Sequence, residues 1–589
     1  MNGKTRVVVV VVSGMLAVAA GNMLAGALTL WRLKLSIPLE FDTWWQYARV
    51  LELPQLAPYA GAIRFAGWAG FGLPLLLWAM VAALLLKPRA RAFHGDARFA
   101  GRADLARAGL LKPGADGVII GRSGGRFLYL RGLQHVVMTA PTRTGKTSSI
   151  AIPVLLSYGH SAVVMDLKGE LFQTTSGYRR GQGQAILKFA PYAEDGRTHR
   201  FNPFVSLSSD PRVRVGEIQT IAAILYPDDA HKDPFWIAQA RSAFLGFASF
   251  MYEQWDARVA AGMRLDPNVD ASFPSLERIY RLSSGDGRGG DLKETIRQWL
   301  ARCSFLGEQT RATLSGLAGL ATETFSSVIA TVQEPLQQFV SPILAAATNA
   351  SDFDVASLRR RPMTVYVVIP PAKLGESGKL LNIFFSTVVG QNLKTTPQED
   401  PSIRHQLLLV MDEFTAMGRV NALAERISIT AGYWVRDLTI IQSNSQLRAT
   451  YGADAAQNYV TNHAASIVFT PREQQDAEDY SKMLGDTTVR RRQRTVGKGG
   501  TSWSHTEERR PLMLPQELKA LPNDDQIIFY EGCPPIRCRK NWYFRSAYFR
   551  KRVLPPVAIQ PAVPATAAGR GVDLTVADEL VAMRALAQE

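Results

Sequence analysis

A strand–loop–helix segment in the first third of the chain constrains its fold more than any other feature. A β-like run, His135–Thr139, leads into the octapeptide APTRTGKT at 140–147, and a helix-compatible stretch, Ser148–Leu156, follows if Pro153 is accommodated as a kink. This order is the setting of a phosphate-binding Walker A loop, in which backbone N–H groups and a helix N-terminus face the phosphates. The motif normally begins with glycine, but Ala140 occupies that position here. A second motif is therefore needed to decide whether this loop binds phosphate.

Three side chains of this loop have roles that phosphate chemistry assigns. Lys146 would reach the phosphate oxygens, the Thr147 hydroxyl would ligate Mg²⁺, and Gly145 would let the backbone approach without a Cβ. The loop therefore predicts ATP and Mg²⁺ as ligands. The residues predicted to hold them here are Thr142, Arg143, Thr144, Gly145, Lys146, Thr147 and Ser148.

The second motif is an apolar run, 407–411, that ends in Asp412 and Glu413. Such a run predicts a strand buried on both faces of a parallel sheet. Two adjacent carboxylates at its end are costly unless a ligand at the carboxyl edge of the sheet needs them. Asp412 suits the Mg²⁺ shell, and Glu413 suits orienting and deprotonating an attacking water. Together with Lys146, this pair predicts a nucleotide-hydrolysing centre.

Gln442 ends a further β-like run, 438–441. A glutamine at this position can sense the γ-phosphate and relay its loss to the rest of the molecule, and an ordinary polar strand end is the alternative. More β-like runs at 162–166 and 466–470 are separated by helical stretches. This alternation predicts an α/β fold with a RecA-like, mostly parallel P-loop nucleotide-binding domain.

Two apolar runs near the N-terminus predict transmembrane helices. Residues 7–30 and 65–86 are long enough to cross a hydrocarbon core of about 30 Å. A cleaved signal peptide is the alternative for the first run, but its apolar region is too long. Lys and Arg crowd behind the second run, which predicts a two-pass protein with both termini and the body in the cytoplasm. Trp44, Trp45 and Tyr47 in the intervening loop are typical of interfacial anchors.

The charge and the cysteine count narrow the range of partners. A net charge of +16 favours polyanions such as nucleic acid, or an acidic membrane surface. Three cysteines are too few for a disulfide framework, and a single C-x4-C pair without a nearby histidine is a poor zinc site. The sequence therefore predicts free thiols and no metal other than Mg²⁺.

As a set, these features resemble the type IV coupling proteins, the VirD4/TraG family of conjugation and secretion ATPases. The resemblance covers about residues 1–550, and an alanine at the start of the Walker A loop looks usual in that family. In chain order, its blocks are the two apolar runs, His94–Ala100, the octapeptide at 140–147, Asp166–Glu170, Phe201–Phe204, Ser351–Phe353, Met411–Phe414, Gln442–Ser443, Arg510–Leu512 and Gln516–Leu518.

The resemblance implies a homo-hexamer in the bacterial inner membrane, with a central channel. It implies that ATP hydrolysis drives relaxase-bound single-stranded DNA, effector proteins or both towards type IV secretion channel components. A neighbouring subunit would donate a hydrolytic arginine, which the sequence leaves open among Arg419, Arg426 and Arg436. An all-α substrate-receiving insertion would precede the Walker B motif, which is the apolar strand at 407–411 with its two acids, and helical patterns at 235–254 and 292–305 agree with this.

The predicted domain organisation follows from these assignments. A membrane anchor occupies 1–90, and an all-α insertion occupies 210–341. The nucleotide-binding domain comprises the two flanking segments, 91–209 and 342–552. A Pro/Ala-rich linker and a C-terminal tail, which predicts a short amphipathic helix, form 553–589.

A basic stretch near the end of the body leaves two interpretations open. Residues 490–503 contain Arg490, Arg491, Arg492, Arg494, Lys498 and Trp503. They predict either a loop that follows a phosphate backbone, with the indole as a stacking face, or a solvated, mobile loop.

Two other functions remain as alternatives. An FtsK-like DNA translocase would usually bring more membrane spans, a long linker and a winged-helix domain. A substrate-recruiting scaffold with little hydrolysis would have no use for the Asp412 and Glu413 pair.

Overall fold

The computed structural model of the protein describes residues 3–86, 94–229, 233–285, 291–497 and 500–562. The chain divides into two compact units, Met1–Phe93 and His94–Glu589. The Pro/Ala-rich segment and tail beyond residue 562, including the predicted terminal helix, lie outside the described residues.

The first unit consists of helices α1 (Gly3–Leu33), α2 (Thr43–Arg49) and α3 (Ala60–Leu86). Its two apolar stretches, Val8–Leu33 and Ala57–Leu85, are long and apolar enough to cross a membrane. The two predicted apolar helices are therefore present as candidate spans; α1 extends beyond its predicted limits at both ends and α3 at its N-terminal end.

Helices α1 and α3 pack closely through small residues. A Cβ added to Gly70 would lie 2.5 Å from the backbone of Ala25, so only glycine permits this approach. The Trp78 indole donates a hydrogen bond to the Val10 carbonyl at 3.0 Å. Trp44, predicted as an interfacial anchor, donates to the Ile63 carbonyl at 3.1 Å, so its indole helps to hold α2 against α3.

The second unit is built on one eleven-stranded sheet with the order β2-β1-β13-β12-β9-β3-β8-β7-β4-β6-β5. Seven strands, from β9 to β5 in this order, are parallel, and the other four extend the sheet antiparallel. The strands of this sheet are β1 (Val118–Ser123), β2 (Arg126–Leu130), β3 (Val136–Thr139), β4 (Ser161–Asp166), β5 (Ala185–Phe189), β6 (Met363–Val368), β7 (Leu407–Met411), β8 (Val435–Ile441), β9 (Ala465–Val468), β12 (Asp525–Tyr530) and β13 (Cys533–Arg539); β10 (Asp486–Gly497) and β11 (Gly500–Pro511) form a separate pair.

The parallel strands are buried on both faces, as their apolar sequences predict. In β4, Val163 and Met165 join one core cluster, while Ala162 and Val164 join another on the opposite face. The first cluster also includes the helices inserted between β5 and β6. The sheet is therefore the partition between two hydrophobic cores.

Helices cover both faces of the sheet. In the described part of the chain, only helices lie between β5 and β6. The helices of the second unit are α4 (Arg102–Arg107), α5 (Ile152–Leu155), α6 (Glu170–Gly181), α7 (Pro211–Leu225), α8 (Pro234–Ala260), α9 (Leu276–Ser283), α10 (Leu292–Arg302), α11 (Glu308–Gly319), α12 (Thr322–Gln333), α13 (Pro342–Thr348), α14 (Leu374–Asn392), α15 (Asn421–Thr430), α16 (Asn444–Tyr451), α17 (Ala453–Thr461), α18 (Gln474–Leu484), α19 (Pro515–Lys519) and α20 (Ala547–Arg550).

The segments where this helical insertion leaves and rejoins the sheet are fastened to each other. Arg200 and Asp352 form an ion pair at 2.7 Å, and the Asn202 backbone N–H donates to the Ser351 hydroxyl at 2.9 Å. Asn202 also donates through its side chain to the Pro274 carbonyl at 2.9 Å. The two sequence blocks singled out around 201 and 351 therefore form the neck of the insertion.

The basic stretch predicted as a loop is instead part of a long β-hairpin. Strands β10 and β11 pair over twelve residues each in a separate two-stranded sheet. The prediction missed them because the strands carry almost no apolar residues, so no alternating apolar pattern marks them. The hairpin is held at its base, where the Ala97 N–H donates to the Asp486 carbonyl at 3.0 Å.

Candidate nucleotide site

The Walker A loop follows β3, as predicted, and its backbone conformation depends on left-handed positions. Gly145 has φ +83° and Arg143 has φ +62°. The Ala140 N–H donates to the Ile441 carbonyl at 2.9 Å, so the buried residue that replaces the first glycine continues the sheet. The loop is thus fixed to strand β8 before it turns.

The helix after the loop differs from the expected kinked α-helix. Residues Thr147–Ala151 form a π-helical turn, and α5 follows with Pro153 in its first turn. Proline lacks an N–H, so it interrupts the i→i−4 ladder of a continuous helix but is tolerated near a helix start. The wide turn ahead of α5 lets the chain pass Pro153 without a kink in the middle of a helix.

The two predicted motifs meet at the carboxyl edge of the sheet. The Lys146 ammonium donates to Glu413 and lies 3.7 Å from the Asp412 carboxylate. The Thr147 hydroxyl donates to Asp412 Oδ2 at 3.0 Å. Residues of the loop and of the strand end therefore share one cluster although about 265 positions separate them in the chain.

Gln442 lies in the same cluster and orients one of the acids. Strand β8 lies between β3 and β7, so its end places Gln442 between the two motifs. Its side-chain amide donates to Glu413 Oε2 at 2.7 Å. Glu413 itself has φ +59°, a left-handed conformation that is costly for a residue with a Cβ. This turn aims the Glu413 side chain back to the loop.

The electrostatics of the cluster fit a bound cation. Burial raises the pKa of Asp412, and the nearby Lys146 opposes this rise. Among the described residues, Asp412 Oδ1 is buried without a hydrogen-bond partner. A hard cation bound to oxygen ligands would satisfy that oxygen, and carboxylate and hydroxyl groups are the donors that Mg²⁺ takes. Asp412 and Thr147 therefore fit the predicted metal role.

A third acid lies at the end of the neighbouring strand β4. Burial raises the pKa of Asp166 to about 6, with Asp412 contributing in the same direction. Its carboxylate accepts the Phe172 N–H at 2.8 Å, which fixes the start of α6. Sequence reasoning singled out Asp166 without a role, and its contacts assign it a structural one.

The other predicted phosphate-binding residues differ in their surroundings. The side chains of Thr142 and Arg143 are exposed, and the Thr142 carbonyl accepts from Arg472 at 3.0 Å. The Thr144 hydroxyl donates to the Pro141 carbonyl at 2.6 Å, which closes the loop on itself. The Thr144 side chain is therefore engaged within the loop, whereas the exposed side chains of Thr142 and Arg143 face solvent. Ser148 is half-buried at the start of the π-helical turn.

One of the three candidate arginines is excluded by its position. Arg436 is completely buried in β8 and donates to the carbonyls of Asp116, Gly132 and Gln134 at 3.0, 2.8 and 3.1 Å. It cannot reach a neighbouring subunit. Arg419 is exposed just before α15, and Arg426 is exposed within that helix.

Residues near the C-terminus of the body also contact the loop, and sequence reasoning missed them. The Lys540 ammonium donates to the Thr144 carbonyl at 3.0 Å, and burial lowers its pKa to about 8. The Trp542 ring lies against Gly145. The aromatic and basic cluster at 540–545 was the available signal, but nothing in its spacing connects it to a loop about 400 residues earlier.

A parallel sheet with Walker A and Walker B residues converging at its carboxyl edge defines a RecA-like P-loop nucleotide-binding protein. The sequence model described as "Type IV secretory system Conjugative DNA transfer" matches residues 99–566. The chain belongs to this family, the type IV coupling proteins, as its sequence blocks predicted.

Individual relatives agree with this assignment. The chain is 28% identical over 485 residues to VirD4 of Agrobacterium fabrum, covering 80% of this chain and 69% of that protein. It is 27% identical over 515 residues to the conjugal transfer protein TraG of Escherichia coli, covering 79% and 78%. The solved structure of plasmid coupling protein TrwB with ADP and Mg²⁺ superposes with a TM-score of 0.53 at 15% identity, covering 81% and 98%. This last likeness confirms the predicted RecA-like fold.

Proposed function

We propose that this protein is the coupling ATPase of a type IV secretion or conjugation system, and that it binds Mg²⁺ and ATP at the cluster around Lys146. Hydrolysis would drive the transfer of relaxase-bound single-stranded DNA, effector proteins or both. The observation that carries the proposal is the convergence of Lys146, Thr147, Asp412, Glu413 and Gln442. The family assignment and the complex of TrwB with ADP and Mg²⁺ support it.

Each side chain of the cluster has one role in this proposal. Thr147 and Asp412 hold Mg²⁺, which when bound neutralises charge on the phosphate oxygens. Lys146 binds those oxygens once it turns away from Glu413. The Glu413 carboxylate then becomes free to accept a proton from the attacking water, while Gln442 keeps it oriented.

Two substitutions separate binding from hydrolysis. Lys146→Ala should abolish nucleotide binding, while Glu413→Gln should keep binding and lower turnover by about 10²–10⁴-fold, as expected for loss of a general base. Binding is measured by calorimetry and turnover by phosphate release, on protein purified from membranes. Lys373→Ala, at an exposed lysine paired with Glu376, is the matched control. Undiminished turnover in both active-site variants would refute the proposed site.

The same variants decide between the coupling ATPase and a recruiting scaffold. A scaffold would support substrate transfer in a conjugation or secretion assay with the Glu413→Gln variant, because it needs no hydrolysis. A coupling ATPase would not. The FtsK-like alternative is disfavoured by the match of residues 99–566 to the conjugative DNA transfer family.

We propose that the active form is a homo-hexamer and that Arg419 or Arg426 completes the site of a neighbouring subunit. Both arginines are exposed, and Arg419 donates to Asn421 at 2.8 Å, so its guanidinium is held at the surface. Each would stabilise the charge that develops during phosphoryl transfer. Mixing either arginine variant with an excess of Lys146→Ala protein should restore hydrolysis only if the arginine acts across subunits.

We propose that the anchor places both termini and the ATPase body on the cytoplasmic side of the inner membrane. Two spans put the loop between them, around Trp45, on the opposite side. We also propose that the segment 210–341 is the substrate-receiving domain within a nucleotide-binding domain formed by 91–209 and 342–552. Protease protection of the loop in inverted vesicles tests the orientation, and cargo crosslinking in native membranes tests the insertion.

A further inference from the structure

The segment that follows β13 lies along the Walker A loop and is attached to it at two points. The Lys540 ammonium donates to the Thr144 carbonyl at 3.0 Å. Further along, the Tyr543 backbone N–H donates to the Ser148 carbonyl at 3.1 Å. These contacts bracket Gly145, Lys146 and Thr147, so the segment follows the part of the loop where the π-helical turn begins.

The Trp542 indole stands between these two attachments with a fixed orientation. A Cβ added to Gly145 would clash with Cη2 and Cζ3, so the benzene edge of the ring abuts the loop. At its other edge, Nε1 donates to Asp524 Oδ1 at 2.9 Å. The ring is therefore held from two sides, and it remains only partly buried.

Trp542 is one member of an exposed aromatic group. The Phe544 ring centroid lies 5.5 Å away, and 46% of the Phe544 side chain is exposed. The Arg545 guanidinium lies 5.3 Å from the Trp542 centroid and 5.8 Å from the Phe544 centroid, and Asp524 holds it at 2.9 Å. Exposed rings beside a planar cation provide faces on which another flat ring can stack.

The position of this group relative to the loop suggests what stacks there. In a P-loop, the backbone N–H groups and the helix N-terminus hold the phosphates, and the nucleoside extends from the α-phosphate. Tyr543 contacts Ser148, immediately after the predicted phosphate and metal residues Lys146 and Thr147. A nucleoside that leaves the loop on the Ser148 side would extend towards the segment that carries Trp542 and Phe544.

We propose that Trp542 and Phe544, rimmed by Arg545, form the stacking platform for the base of the bound nucleotide. The inference rests on the proposed nucleotide site and adds its base subsite. Stacking reads the face of a ring rather than the donors and acceptors at its edge, so the platform takes adenine and guanine alike. The alternative is that Trp542 only braces Gly145.

Comparison of ATP with a ligand that lacks a base distinguishes the platform from the brace. Affinities of a non-hydrolysable ATP analogue, its GTP counterpart and inorganic tripolyphosphate, each with Mg²⁺, are measured by calorimetry on the full-length protein in detergent. Phe544→Ala and Trp542→Ala should weaken both nucleotides about tenfold or more and leave tripolyphosphate within about twofold. Trp542→Phe, which keeps a ring, should retain most of the nucleotide affinity.

The controls separate this inference from the proposed function. Phe235→Ala, at a similarly exposed phenylalanine on α8, should change none of the three affinities. A brace without stacking would weaken tripolyphosphate as much as ATP in Trp542→Ala and leave Phe544→Ala unchanged, and either result overturns the platform. Failure of the unaltered protein to bind tripolyphosphate would instead overturn the phosphate site itself.

Discussion

Replacement of Arg436 by methionine tests whether this arginine is structural. Four hydrogen bonds from its guanidinium to backbone carbonyls would be lost; the bond to Leu130 is long at 3.5 Å, and each of the three shorter ones is worth about 1.5–3 kcal/mol because the donor is charged. The methionine variant also avoids the cost of burying a charge, which is several kcal/mol and offsets part of this loss. Since burial already lowers the pKa of Arg436, that cost is substantial. The net loss expected is about 2–4 kcal/mol, or a fall of roughly 2–4 °C in the unfolding midpoint of a unit of this size.

The assay is thermal unfolding of the detergent-solubilised protein, followed by intrinsic fluorescence and by limited proteolysis. The matched control is Arg426→Met, at an exposed arginine of α15, which should shift the midpoint by no more than about 1 °C. If Arg436→Met unfolds like the unaltered protein, the assignment of this arginine to the backbone carbonyls is wrong. A variant of normal stability that loses hydrolysis in mixed oligomers would return Arg436 to the set of trans-acting candidates.

Two more predictions follow from other parts of the second unit. Burial lowers the pKa of Lys540 from 10.5 to about 8. Between about pH 8 and pH 10.5, the Lys540 amine is therefore protonated in the unfolded chain but largely neutral in the folded one. The free energy of unfolding should therefore increase as pH rises through this range. In urea unfolding at pH 8 and pH 10, the Lys540→Met variant should show a smaller increase than the unaltered protein. In the β10–β11 hairpin, Arg492 lies 3.7 Å over the Trp503 ring. If this hairpin contacts single-stranded DNA, Arg492→Ala should reduce the slope of log affinity against log salt concentration by about 1. The affinities are measured by fluorescence anisotropy, and an unchanged slope would exclude that contact.

The cluster at the candidate nucleotide site could be predicted from the sequence because each motif carries its own local signal. Lys146 follows a strand in a loop of known chemistry, and Asp412 with Glu413 ends an apolar run where paired carboxylates are costly without a ligand. Parallel strands share one carboxyl edge, so convergence of these residues followed from fold class alone. The roles of these side chains stay predictions until nucleotide binding and turnover are measured.

The parts that were missed depend on contacts between distant segments. Nothing local in Lys540 or Trp542 indicates that β12 and β13 extend the sheet and bring the next segment to the Walker A loop. The β10–β11 hairpin lacks apolar alternation, so its strands are defined by cross-strand pairs such as Arg490 with Glu507 at 2.9 Å.

The segment after α20 also depends on contacts with a part of the chain that is distant in sequence. Residues 553–562 were predicted as part of an extended linker. The Val557 N–H donates to the Ser176 hydroxyl at 3.1 Å, and a Cβ added to Gly177 would clash with the Pro555 carbonyl oxygen. Proline and alanine content alone does not reveal that this stretch is docked along α6.

The helical insertion is attached at β5 and β6, the last two strands at one edge of the sheet, whereas the candidate nucleotide site lies at the ends of β3, β8 and β7. The inserted module leaves and rejoins the sheet at one neck around Arg200 and Asp352, while its helices also pack into the core on that face of the sheet, and Glu217 of α7 pairs with Lys394 beyond α14 at 2.6 Å. If the insertion receives the cargo, its replacement by another insertion during evolution could change the cargo while the residues of the nucleotide site stay the same. Chimeras that exchange the insertion between two coupling proteins at this neck would therefore show whether the insertion determines the cargo.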